Sequence, residues 1–133
     1  MGKNSLYNDF LNSGDIIIGA SGCEGFGLPE FNSIALGKHS VILNAHAYKE
    51  YATPENSCLF EPSSKIPVYD NMFFHQGTAF NQGNIFDWNE DYFINACERA
   101  IQRTRLNRVN TEGLKLQTKF TVKKTVDEIL KYF

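Results

Sequence analysis

The residues with the clearest chemical potential stand together at Glu24-Gly25-Phe26-Gly27-Leu28-Pro29. Two glycines two apart let backbone come close to a ligand without a Cβ in the way. Pro29 fits the first position of a helix. The N–H groups at such a helix start, together with the positive end of its dipole, favour phosphate or another anion. Glu24 stands beside that anion site, where a carboxylate repels phosphate but accepts hydrogen bonds from sugar hydroxyls. Amide donors for phosphate and an acceptor for hydroxyls point together to a sugar phosphate or a nucleotide sugar.

The elements around this turn follow from apolar spacing. Leu6, Tyr7, Phe10 and Leu11 predict a short amphipathic helix over residues 3–12, stopped by Ser13-Gly14. Residues 15–20 carry an unbroken apolar run, Ile16-Ile17-Ile18, expected as a strand buried on both faces. The Gly-rich turn follows, then a helix with Phe31, Ile34 and Ala35 on its apolar stripe, ended by Gly37. Ser40-Val41-Ile42-Leu43 reads as a second buried strand, residues 45–51 as a short helix, and Cys58-Leu59-Phe60 as a third strand ended by Pro62. Strand, helix, strand, helix, strand is the pattern of an α/β fold with a parallel sheet. Ligands of such sheets sit at the carboxyl ends of the strands. That rule adds Asn44, His46 and Lys49, which follow the second strand, as possible cleft residues beside the turn.

The late sequence reads differently. Residues 63–88 have weak periodicity, many Asn and Gln, and the aromatics Tyr69, Phe73, Phe74, Phe80, Phe86 and Trp88. Phe73, Phe74, Phe80 and Phe86 are expected to form a satellite core that anchors this long loop. Tyr69 and Trp88 are the alternative surface for stacking on a sugar. Asn89 is the expected N-cap of a helix carrying Tyr92, Phe93, Ala96, Ala100 and Ile101 inward. A short helix from Asn110 or Thr111 to Lys119 follows. Thr121 caps a last helix, with Val122, Val126, Ile129 and Leu130 expected inward.

With these elements in place, residues 15–41 resemble the sugar-donor-binding region of GT-B glycosyltransferases, especially the large retaining group with an E-x7-E motif. Members of that group read ADIFV, EGFGLP, LEAMA, G and PVV in order. This chain reads Asp15-Ile16-Ile17-Ile18, Glu24-Gly25-Phe26-Gly27-Leu28-Pro29, Phe31-Asn32-Ser33-Ile34-Ala35-Leu36-Gly37 and Ser40-Val41. A weaker likeness runs through residues 56–62 and the late helices, leaving residues 63–88 as an apparent insertion in one domain of residues 1–133. The resemblance implies a partial Rossmann-like fold, the C-terminal half of a GT-B enzyme, with a parallel sheet of three to four strands flanked by helices. It implies that Glu24 contacts the donor sugar and that the amides of Phe26, Gly27 and Leu28 contact the sugar or diphosphate. Eight residues on from Glu24 the group has a second Glu that touches the nucleotide ribose; here that position is Asn32, which hydrogen-bonds without charge assistance. Glu30 lies about 200° around the helix from Asn32 and does not stand in for it. The group's acceptor domain and first donor-domain strands have no counterpart in these residues. Glycosyl transfer is therefore expected to need a missing or separate N-terminal half, with the acceptor undefined. The alternative expectation is a non-catalytic sugar-binding or protein-interaction module, including a homo-oligomer paired through an exposed sheet edge.

Composition bounds these readings. At 133 residues the chain holds about one domain. Hydrophobic residues reach 42% and charged residues 21%, which excludes a disordered chain. A net charge of −2 gives no electrostatic case for nucleic acid or an anionic membrane. No apolar run is long enough to span a membrane, and no apolar segment follows Met1 as in a secretory signal. Cys23, Cys58 and Cys97 are odd in number and far apart, which predicts reduced thiols and a cytoplasmic protein. Cys23 adjoins the turn but has no predicted base partner, so it is read as inert. His75 has no second ligand at metal-binding spacing, so neither metal nor cofactor is expected.

Overall fold

A computed structural model describes residues 5–80 and 83–133. The first helix, α1, spans Ser5–Asn12; residues 3 and 4 of its expected start lie outside the described residues. Strand β1 (Ile16–Gly19) leads through the Gly-rich turn to helix α2 (Leu28–Ala35). Strand β2 (His39–Leu43), a 3-10 turn (His46–Glu50) and strand β3 (Cys58–Phe60) follow. The three strands form one parallel sheet in the order β1-β2-β3.

Every residue of β2 is buried, as a central strand requires. β1 is not buried on both faces as its sequence predicts, and Ile18 is 50% exposed. The reason is position: β1 is an edge strand, so only its inner flank is covered. The sheet is flanked by helices. Helix α3 (Glu90–Leu106) packs across all three strands, and α2 packs on β1 and β2. On β2, Ile42 faces the α2 side, within reach of a Cβ built at Gly19, while His39 bonds the Asn107 carbonyl at the end of α3. Residues an odd number apart on a strand point to opposite faces, so the two helices cover opposite sides.

Helix α3 also closes the β3 edge. Arg99 donates to the Leu59 carbonyl at 2.6 Å. Arg103 donates to the carbonyls of Pro54, Glu55 and Ser57. Asn89 caps α3 by accepting from the N–H groups of Asp91 and Tyr92, as its sequence position predicts.

Residues 62–88 are not the structureless loop that their composition predicts. Strands β4 (Pro62–Pro67) and β5 (Asn84–Trp88) pair antiparallel, with a bulge between Pro62 and Ser64. The expected satellite core does not form at the far end: Phe73 and Phe80 are 74% and 71% exposed. Phe86 and Trp88, nearest the sheet, are half-buried and pack against the core. Trp88 packs with Phe60 and Phe93, and its indole N–H donates to the Ala20 carbonyl at 3.1 Å. β5 thereby clamps the residues that follow β1.

Helices α4 (Thr111–Leu114) and α5 (Leu116–Lys119) pack on α2. Buried Asn110 joins them to the sheet. Its amide donates to the carbonyls of Lys38 and Asn56, and its oxygen accepts from the Gly113 N–H. The last helix, α6 (Val122–Leu130), buries none of its residues, so the apolar stripe expected to face inward faces solvent. Asn110→Ala leaves two carbonyls and one N–H without their partner in the interior. The expected cost is about 2–3 kcal/mol, read from the midpoint of urea unfolding.

Candidate functional site

The turn between β1 and α2 is held at both ends and open in the middle. At its start, Phe86 N–H donates to the Gly22 carbonyl at 2.8 Å, and a Cβ at Gly22 would stand 2.4 Å from the Phe86 carbonyl oxygen. His46 approaches from β2, with Nε2 at 2.8 Å from the Ser21 carbonyl. A carbonyl only accepts, so that contact places a hydrogen on Nε2.

The end of the turn is fixed by Gly27, which adopts φ +77°. This is the left-handed region, which costs a residue with a side chain. The 3-10 turn supplies the matching surface. A Cβ at Gly27 would stand 2.4 Å from a ring carbon of Tyr48 and 2.7 Å from the Tyr51 hydroxyl. The Tyr51 hydroxyl donates to the Gly27 carbonyl at 2.9 Å. The Phe26 ring turns inward against Phe31 and Tyr51, each 5.3 Å between centroids, and against Phe120. Phe26 is thus anchored by its side chain.

Between the two clamps, a Cβ at Gly25 would meet nothing within 4 Å. Helix α2 begins without a side-chain cap. The N–H groups of Gly25, Phe26, Gly27 and Leu28 have no acceptor among the described residues. A row of unpaired amides at a helix start is a site for an anion.

Carboxylates stand beside it. The Cγ of Glu30 lies 2.9 Å from where a Gly19 Cβ would stand, over the carboxyl end of β1. The Tyr48 hydroxyl donates to Glu30 Oε1 at 3.3 Å. Burial, then the charges of Glu30 and Glu24, hold the Tyr48 phenol well above its ordinary value. Tyr51 is raised by the same burial and by Glu30, Tyr48 and Glu24. Both hydroxyls therefore remain donors.

His46 carries two further marks. Its φ is +38°, a strained value for a residue with a side chain. Its Nδ1 is the one buried side-chain polar atom without a hydrogen-bond partner among the described residues. Such features collect at functional sites, and here they lie at the carboxyl end of β2.

The structure thus brings Glu24, Gly25, Phe26, Gly27, Leu28 and His46 together. Glu30, Tyr48 and Tyr51 join them, Tyr48 from the segment after β2 that strand order places at this edge. Asn32 turns to α1, where its amide donates to the Tyr7 hydroxyl at 3.3 Å. Asn44 donates to Glu61 Oε1 at 2.7 Å, and Lys49 is exposed. Glu61 opens a separate groove of about 650 Å³ along β3 and α3, walled by Leu59, Tyr92, Asn95 and Arg99. Among the described residues no three His, Cys, Asp or Glu side chains are grouped to hold a metal ion. Burial pushes the Cys58 and Cys97 thiols up, which keeps both protonated. No helix of the described residues is long and apolar enough to cross a membrane. No model of a known protein family matches the chain, and no curated protein matches it significantly.

The two turn glycines separate shape from access. Gly27→Ala forces a Cβ into Tyr48 and a left-handed backbone, with an expected loss of about 2 kcal/mol or more. Gly25→Ala should leave the thermal midpoint nearly unchanged. The phenols give a pH test. Unfolded tyrosines ionise near pH 10, and the folded Tyr48 and Tyr51 ionise higher. Their contribution to stability is full below about pH 10 and is lost as pH climbs above it. Urea midpoints should fall over that range, and less steeply for Tyr48→Phe.

Proposed function

We propose that residues 24–30 bind the diphosphate and sugar of a nucleotide sugar, and that the chain is the donor-binding part of a GT-B-type glycosyltransferase. The observation that carries this reading is the row of unpaired amides from Gly25 to Leu28 at an uncapped helix start, flanked by Glu24. The sequence resemblance assigns the same residues to the same ligand. In this reading the amides donate to phosphate oxygens and stabilise the diphosphate as it leaves with growing negative charge. Glu24 accepts from sugar hydroxyls and repels a phosphate that enters reversed, which sets the ligand's direction. Tyr48 supports Glu30, whose carboxylate adds a second acceptor on the same side.

Asn32 is occupied by Tyr7 in this arrangement, so ribose contact through Asn32 requires that bond to be exchanged. The acceptor half of the reaction comes from another polypeptide or segment. The free cysteines Cys23, Cys58 and Cys97 fit a reducing, cytoplasmic setting.

Titration calorimetry with UDP-glucose, GDP-mannose and inorganic pyrophosphate tests the site. The expected result is binding of at least one nucleotide sugar, weakened about tenfold by Glu24→Gln, with pyrophosphate affinity not reduced. Heat from none of the three ligands would remove the proposal.

A further inference from the structure

Three consecutive carbonyls follow β1, and each is held by a donor from elsewhere in the fold. The Ala20 carbonyl accepts from the Trp88 indole at 3.1 Å, the Ser21 carbonyl from His46 Nε2 at 2.8 Å, and the Gly22 carbonyl from the Phe86 N–H at 2.8 Å. Trp88 and Phe86 belong to β5. His46 comes from the segment after β2, at the carboxyl end of the central strand.

Ser21 passes the hold along the turn. Its Oγ donates to the Cys23 carbonyl at 2.8 Å. That carbonyl belongs to the peptide that joins Cys23 to Glu24, whose atoms lie in one plane. Fixing the carbonyl sets the tilt of the plane, and with it the placement of the Glu24 Cα. Glu24 is half-buried, and its charge acts on the phenols of both Tyr48 and Tyr51. The contacts that start at His46 thus end on the carboxylate that begins the turn.

The strained backbone of His46, at φ +38°, is kept by these same surroundings. Its ring lies 4.7 Å from the Tyr48 ring and 6.0 Å from the Phe86 ring, between centroids, while Nε2 is tied to Ser21. Strain of this kind persists where several contacts over-determine it. Two separate clamps therefore act on the turn. The Tyr51 hydroxyl on the Gly27 carbonyl holds the end that carries the amides. His46 acts through Ser21 on Glu24. Gly25 lies between them with open space around it, and its backbone freedom lets one end shift without the other.

We propose that His46 is a positioning residue for Glu24. Acting through the Ser21 carbonyl and hydroxyl, it sets the direction of the carboxylate that meets the hydroxyl end of the ligand, while the phosphate end depends on the Gly27 clamp. The identity of the ligand rests on the donor-binding reading above. The positioning itself rests on the hydrogen bonds.

Three variants of the full chain test it. His46→Phe keeps the ring contacts and removes the donor. His46→Gln returns a side-chain N–H at similar reach. Ser21→Ala removes the hydroxyl at an exposed position. Far-UV circular dichroism checks that each keeps its fold. In calorimetry with UDP-glucose, GDP-mannose and inorganic pyrophosphate, His46→Phe and Ser21→Ala should raise the nucleotide-sugar Kd about tenfold and change the pyrophosphate Kd by less than about twofold. His46→Gln should stay within about threefold of the wild type. In the ligand-free protein, the heteronuclear NOE of the Cys23 and Glu24 amides should fall in His46→Phe, with Gly27 and Leu28 unchanged. An unchanged NOE at Cys23 and Glu24 overturns the positioning role. So does an equal loss of nucleotide sugar and pyrophosphate, which makes His46 a support of the whole turn. A wild type that binds none of the three ligands removes the donor reading, and the NOE still decides whether His46 holds Glu24.

Discussion

Gly27 has no Cβ, and the Tyr48 ring and the Tyr51 hydroxyl fill the space where one would stand. That contact joins the 3-10 turn after β2 to the start of α2. Three consequences follow from it. The Gly27 backbone is held left-handed by packing as well as by the Tyr51 hydroxyl on its carbonyl. Phe26 is drawn into the aromatic cluster with Phe31 and Phe120, which sets the direction from which the chain enters the helix. The amides between the clamps are left without a protein acceptor among the described residues. A side chain at Gly27 would displace the tyrosines and undo all three.

The turn's bare amides cost stability that a capping Ser or Asp would supply, about 1 kcal/mol for a helix of this kind. The chain carries a left-handed glycine at the cap position, with no side chain to donate or accept. Nearby, the electrostatics are one-sided. Burial, with the charges of Glu30 and Glu24, holds the phenols protonated, and the strained His46 keeps its Nδ1 buried with no partner among the described residues. Unpaired donors on one side and acceptors on the other suit a ligand with a phosphate end and a hydroxyl end.

Much of the fold is legible in the sequence where burial is symmetric. Val41, Ile42 and Leu43 lie in a continuous apolar strand and become the central strand. The same logic fails for Ile16-Ile17-Ile18, because the strand's own residues do not say whether a neighbour stands on each side. It fails again for Val122, Val126, Ile129 and Leu130, whose spacing specifies an apolar face but not what covers it. Residues 62–88 conceal a strand pair because its register rests on a bulge and on contacts to the sheet, not on a short turn signal. The turn itself is readable from Glu24 to Pro29, since glycines, helix start and strand order agree. Glu30, Tyr48 and Tyr51 are harder to read. Their roles depend on Gly19 at the end of β1 and Gly27 at the start of α2 leaving room for other side chains.

Arg99 and Arg103 close the β3 edge of the sheet, and the candidate site lies at the carboxyl ends of its strands. Two places compete for a ligand: the amide turn at residues 24–30, and the groove along β3 and α3 that Glu61 opens. Shape alone favours the groove, while the unpaired amides and neighbouring carboxylates favour the turn. Backbone amide chemical shifts recorded while UDP-glucose or GDP-mannose is added decide between them. The account predicts that the largest changes fall on Gly25, Phe26, Gly27 and Leu28, with smaller ones at Glu30 and His46. Changes centred on Leu59, Asn95 and Arg99, with residues 25–28 unmoved, would contradict it.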